Sequence, residues 1–110
     1  MKQVIAFIQP FRVEKVVDAL HGIDGLSGAT VTEARGFGRG RAKRAGAEAL
    51  FGTVPRARIE VMVPDALADS VVTAIRSVAH TGNRGDGKVY VIGMERAVRI
   101  STGEEGEAAV

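Results

Sequence analysis

Thr81-Gly82-Asn83-Arg84-Gly85-Asp86-Gly87-Lys88 is the stretch of this chain best suited to chemistry. Three glycines, Gly82, Gly85 and Gly87, let main-chain N–H groups converge on one point with no side chains in the way. Lys88 adds a positive charge beside them, and together these features suit a phosphate. Gly82 to Lys88 also satisfies the GxxxxGK part of a P-loop. That reading fails because Val89 stands where Ser or Thr would bind magnesium, and because this turn runs from helix to strand, the reverse of a P-loop. On local sequence alone, a phosphate cradle and a plain glycine turn with a solvated lysine fit equally well.

A second glycine cluster, Gly36-Phe37-Gly38-Arg39-Gly40, opens a basic segment that contains Arg41, Lys43 and Arg44. Taken alone it is a flexible hinge. Arg56, Arg58 and Arg99 fall on extended segments, where a single arginine is more often solvated or paired than a ligand contact. The net charge is only +2 but unevenly spread, with cations crowding the middle and Glu104, Glu105 and Glu107 near the end. Such asymmetry bears on partners and leaves fold open. His21 and His80 sit near helix ends without a second ligand at metal spacing, and the serines lack a nucleophile-elbow context. No catalytic constellation and no metal site emerges, and the absence of cysteine excludes disulfides and thiol chemistry.

The elements that must position these residues follow from hydrophobic period. Val4–Ile8 is a short β-branched and aromatic run ended by Pro10, which predicts a buried strand. Val13, Val16, Val17 and Leu20 then recur at helical spacing, and Gly22 to Gly28 ends that helix. Thr30-Val31-Thr32 predicts a second strand, and Gly36 to Gly52 lacks sustained period and predicts a long loop. Ala57, Ile59, Val61 and Val63 alternate with polar neighbours as a half-buried strand does, and Pro64 stops it. Asp65 is the expected cap of a second helix whose apolar face is Leu67, Val71, Ala74, Ile75 and Val78. Val89 to Ile92 resumes strand character, followed by a short extended segment over Ala97 to Ile100. The order is that of an α+β, ferredoxin-like βαββαβ sandwich, with both helices on one face of a sheet.

At 110 residues the chain is expected to be one domain, 1–110. A domain this small gains from burying surface against copies of itself. The opening MKQVIAFIQPF is too short and too interrupted for a signal sequence, and no stretch approaches the roughly 20 apolar residues of a membrane span. A cytoplasmic protein with no direct membrane insertion is expected. A nucleic-acid binder would account for the basic middle, but that segment lacks stacking positions and an obvious recognition helix, so no nucleic acid is expected as partner.

Taken together, IQPFRVEKVVDAL, TVTEARGFGR, PRARIEVMVPD, TGNRGDGKVYV and RISTGEE resemble the PII signal-transduction family, in the family's order and over nearly the whole chain. The resemblance implies a homotrimer with adenine nucleotides, ATP, ADP or AMP, in clefts between subunits. It also implies a T-loop, about 37–55, that docks on a target such as a membrane transporter or a metabolic enzyme, and no reaction. By the same resemblance Gly85, Asp86, Gly87 and Lys88 belong to a phosphate-binding B-loop of about 81–88, and Gly36, Gly38 and Arg39 to the base of the T-loop. Arg56 and Arg99 are implied phosphate contacts, Thr30 and Val63 adenine neighbours, and 101–110 a C-terminal tail.

Departures from the family pattern carry their own expectations. Gly40 replaces the Gln that usually helps to hold magnesium and 2-oxoglutarate, which argues against both here. Gln9 replaces a familiar Lys, and Ser101 stands where an Arg often meets the distal phosphates, so the expected preference moves toward ADP or AMP. The T-loop is short and has no Tyr, so no uridylylation is expected. Gly40, Arg41, Lys43 and Arg44 are the candidate contacts for a small anion such as bicarbonate, or for the partner. A standard nitrogen regulator that senses ATP, ADP and 2-oxoglutarate is the alternative.

Overall fold

The computed structural model describes residues 1–38 and 52–110. Its order is β1 (Lys2–Ile8), a 3-10 turn (Pro10–Arg12), α1 (Val13–His21), β2 (Thr30–Gly36), β3 (Val54–Val63), α2 (Asp65–Ala79), β4 (Gly87–Gly93) and a closing 3-10 turn (Gly106–Ala109). The four strands form one sheet in the order β2-β3-β1-β4, with every neighbouring pair antiparallel. Both crossovers return through a helix, which gives the expected ferredoxin-like arrangement.

Alternation along the central strands decides which face is covered. Val4, Ala6 and Ile8 of β1 pair with Val61, Ile59 and Ala57 of β3, and all of these side chains are buried. Against them lie Val16 and Leu20 from α1 and Ala68, Val71, Ile75 and Ala79 from α2, forming a single aliphatic core. No polar or charged residue is buried among the described residues. The stripe predicted for α1 is the one that faces inward, because residues three and four apart share a helix face. Arg12 closes the joint between the helices, donating from Nε at 2.8 Å to the carbonyl of Val78 in the last turn of α2.

Among the described residues no helix lies over the opposite face of the sheet. Ile5 and Phe7 of β1, Arg58, Glu60 and Met62 of β3, and Tyr90 and Ile92 of β4 share that face by register. Tyr90 is 47% exposed, Ile92 45% and Met62 37%. Phe7 meets Tyr90 edge to face at 6.4 Å between ring centroids. The Arg58 guanidinium lies 5.7 Å from the centre of the Phe7 ring and is ion-paired to Glu60.

The structure departs from the sequence expectations in two places. Asp65 is the first helical residue and Pro64 is the cap, with no side-chain capping bond; the Asp65 carboxylate instead accepts from the amino group of Met1 at 2.7 Å. Beyond the long loop expected over Gly36 to Gly52, β3 opens with Val54 and Pro55, which pair with Gly36 and Arg35. A proline at the start of a strand is tolerated, since only its missing donor would be felt further in. The extended segment of Ala97 to Ile100 contributes one antiparallel bridge, Val98 to Glu105, outside the sheet. No helix among the described residues is long and apolar enough to cross a membrane.

Ile59 is fully buried at the centre of the core. Its truncation to alanine is expected to lower stability by about 2–5 kcal/mol, measured by chemical denaturation; a change under about 0.5 kcal/mol would show that the core lies elsewhere.

Candidate functional site

The turn between α2 and β4 is held from inside by one carboxylate. Asp86 Oδ2 accepts from the main-chain N–H of Thr81 at 2.8 Å and from that of Gly82 at 3.3 Å, while Oδ1 accepts from the Thr81 hydroxyl. The Thr81 oxygen in turn accepts from the N–H of Asn83 at 3.1 Å. These bonds fold residues 81–86 around the Asp86 carboxylate. They hold its pKa below the ordinary aspartate value, with the Thr81 side-chain and main-chain bonds as the leading causes and smaller help from the Gly82 N–H and from His80. His80 Nδ1 lies 3.5 Å from Oδ2.

Glycine is required where this turn meets the sheet. Gly82, Gly85 and Gly87 all have positive φ, at 87°, 87° and 106°, a region that side chains rarely enter. At Gly87 a Cβ would lie 1.8 Å from the carbonyl oxygen of Phe7. From the end of β1, Gln9 Nε2 donates to the Gly85 carbonyl at 2.7 Å. The main chain of the turn is thereby fixed both from within and from the sheet.

This fixed turn forms one wall of a cleft of about 620 Å³. The end of β2 and the residues after it, Ala34 to Gly38, form another wall, Arg56 enters from β3, and Phe7 and Tyr90 line the part over the sheet. Arg35, Arg56, Arg84 and Lys88 all line this cleft, with Asp86 as the acid among the lining residues. Arg35 Nε donates to the Thr53 hydroxyl at 3.2 Å, across the base of the long loop. Arg56 Nη1 donates to the Pro55 carbonyl at 2.7 Å. The cleft is thus electropositive, walled by glycine main chain and floored by two aromatic rings, an arrangement suited to an anionic ligand with a flat apolar part.

Of the residues marked in the sequence, Gly36, Gly38, Arg56, Gly85, Asp86, Gly87 and Lys88 meet in this cleft. Thr30, Val63, Arg99 and Ser101 are not among its lining residues. Thr30 begins β2, the strand that ends at Gly36 beside the cleft, roughly 20 Å away at the strand rise per residue. Val63 is fully buried in the core, so its side chain is not open to a ligand. Arg99 lies in the C-terminal segment, where it donates to the Ala108 carbonyl at 3.1 Å and sits 3.8 Å from Glu104. Arg39, Gly40, Arg41, Lys43 and Arg44 lie outside the described residues.

Phe7, Arg35, Phe37, Arg84 and Tyr90 line the cleft without having been marked. For Phe7 and Tyr90 the available signal was alternation, which puts both on the face away from the buried residues of their strands. Asp86 has a role the sequence did not suggest, that of holding the turn. Among the described residues no group of three or more His, Cys, Asp or Glu is placed to hold a metal.

The family profile for nitrogen regulatory protein P-II matches residues 1–104. The chain is 46% identical to the nitrogen regulatory protein P-II of Haemophilus influenzae, over the full length of both proteins. It is 45% identical to that of Rhodospirillum rubrum and 42% identical to nitrogen regulatory protein P-II 1 of Escherichia coli, again over the full length of each. The chain belongs to the PII family. Its membership accords with the βαββαβ order and with the glycine turn at the head of β4, and it supports a signalling role of the PII kind.

Because the Asp86 carboxyl is more acidic in the folded chain than in the unfolded one, its contribution to stability is full above the ordinary aspartate value and is lost as pH falls through the depressed one. Carboxyl resonances followed by NMR are expected to place the Asp86 midpoint below the ordinary aspartate value; a midpoint at or above it would mean that the turn is not held by this carboxylate.

Proposed function

We propose that this protein is a non-enzymatic PII-like signal transducer that binds an adenine nucleotide in clefts between the subunits of a homotrimer and regulates a target through the T-loop that follows Gly36. The observation that carries this reading is convergence. Glycines after β2, an arginine on β3 and the Gly85–Lys88 turn before β4, far apart in sequence, line one cleft. Charge-assisted bonds to phosphate account for that gathering better than a solvated surface does.

The trimer is supported by the uncovered face of the sheet, where Met62, Tyr90 and Ile92 are exposed beside the rings and ion pair of Phe7 and Arg58. A face of this kind suits burial against another copy. In such an assembly Thr30, Arg99 and Ser101, and Val63 through its main chain alone, approach the nucleotide from a neighbouring subunit, which fits their implied roles to their distance from the cleft of their own chain. Binding without turnover is supported by the state of Asp86, whose carboxylate is engaged in its own turn and is poorly placed to act as a general base.

The target in this reading is a membrane transporter or a metabolic enzyme in the cytoplasm, met by Gly40, Arg41, Lys43 and Arg44. Gly40 and Ser101 favour ADP or AMP over ATP and disfavour magnesium with 2-oxoglutarate, and the basic loop favours a small anion such as bicarbonate as effector. The second reading is a standard nitrogen regulator that senses ATP, ADP and 2-oxoglutarate. It is supported by the relatives named nitrogen regulatory protein P-II at 42–46% identity.

Calorimetric titration of the purified protein with AMP, ADP and ATP, with and without magnesium, 2-oxoglutarate and bicarbonate, tests both when combined with a light-scattering mass. The expected outcome is a trimer that binds ADP or AMP more tightly than ATP, with affinity shifted by bicarbonate. Tightest binding to ATP, strengthened by 2-oxoglutarate and magnesium, would favour the second reading. A monomer without nucleotide affinity would overturn both.

A further inference from the structure

We propose that Arg84 is a phosphate-contacting residue that acts with Lys88 as a pair of cations flanking the Gly85–Gly87 turn and makes affinity depend on the number of phosphates in the ligand; this rests on the nucleotide-binding reading above. Arg84 directly precedes Gly85 and Lys88 directly follows Gly87, and both line the cleft. The two cations therefore bracket the segment whose main chain is freest to approach an anion.

The surroundings of the turn leave these charges available. Asp86, between them in sequence, does not neutralise them, because its oxygens accept from the main chain and hydroxyl of Thr81 and from the N–H of Gly82. The Gly85 carbonyl, a main-chain acceptor that would oppose an anion, is taken by the Gln9 amide. Arg35 donates to Thr53 and Arg56 to the Pro55 carbonyl. The side chains of Arg84 and Lys88 make no hydrogen bond or ion pair to another described residue, while the Lys88 main chain pairs with Phe7 in the sheet.

The position of Arg84 is also set by bonds on either side of it. The Asn83 N–H donates to the Thr81 hydroxyl at 3.1 Å before it, and Gly85 is anchored to Gln9 at 2.7 Å after it. Its main chain is held while its long exposed side chain can reach across the mouth of the cleft. One phosphate on the glycine turn is satisfied by N–H groups and Lys88. A second or third phosphate adds charge that a guanidinium can meet with two parallel bonds, which a point charge cannot do.

The test is calorimetry of the full chain with AMP, ADP and ATP, comparing the unaltered protein with Arg84→Gln and Arg84→Lys, and with ligand-free thermal unfolding of each. Arg84→Gln is expected to weaken ADP and ATP by about five- to tenfold and AMP by less than about twofold, in keeping with loss of one charge-assisted bond at an exposed position. Arg84→Lys, which keeps the charge, is expected to recover most of that loss. Arg84→Met carries the same expectation as Arg84→Gln should the latter fail to fold. Unchanged affinities, or equal weakening of all three nucleotides, would overturn the role of Arg84 while leaving nucleotide binding intact. Failure of the unaltered protein to bind any of the three would remove the nucleotide-binding reading and this inference with it.

Discussion

Gly87 and the carbonyl of Phe7 approach so closely that a methyl group at Gly87 would lie 1.8 Å from that oxygen. Much of the cleft depends on this contact. It seats the start of β4 against the end of β1, and so brings a turn that follows α2 to the same edge of the molecule as the residues after β2. The Gln9 amide, two residues beyond Phe7, can then reach the Gly85 carbonyl, and Asp86 can gather the N–H groups of Thr81 and Gly82. Any residue but glycine at this position would push the turn from the sheet and open the wall of the cleft.

The sheet serves two purposes through its two faces. On one, aliphatic side chains of β1 and β3 pack against the helices and supply most of the apolar burial. On the other, the same strands present Phe7, Arg58, Glu60 and Tyr90, a mixed surface of rings and charges. The rigid core thus fixes the spacing of the residues on the outer face, and the cleft lies where that face meets the two glycine-rich segments. A ligand site built on strand ends and anchored turns is held more firmly than one built on loops alone.

The fold was largely legible in the sequence because its signals are local. The stripe of Val13, Val16, Val17 and Leu20 and the alternation of Ala57, Ile59, Val61 and Val63 each need only a short window. The cleft was legible in part. Gly85 to Lys88 announced themselves through composition, and Arg56 through the oddity of a charge on a strand, while Arg84 did not stand out beside them. Phe7 and Tyr90 read as ordinary strand residues until the register of β1 with β4 makes them diagonal neighbours on one face. The bond from Gln9 to Gly85 spans 76 residues of sequence, and nothing in either local pattern points to the other. The cap at Pro64 was missed because Asp65, a good capping residue, stood next to it and found a partner in the amino group of Met1.

Gly36 pairs with Val54 at the last rung of the β2–β3 ladder, and Arg35 is bonded to Thr53 just beyond it. The two ends of the intervening segment are therefore held at the spacing of one strand pair, independently of what lies between them. The entropic cost of closing such a segment rises only with the logarithm of its length. Its sequence is accordingly free to diverge, in length as well as charge, without disturbing the core or the glycine turn. If the protein acts as proposed, a new target needs only this one cassette rewritten, with the cleft left as it is.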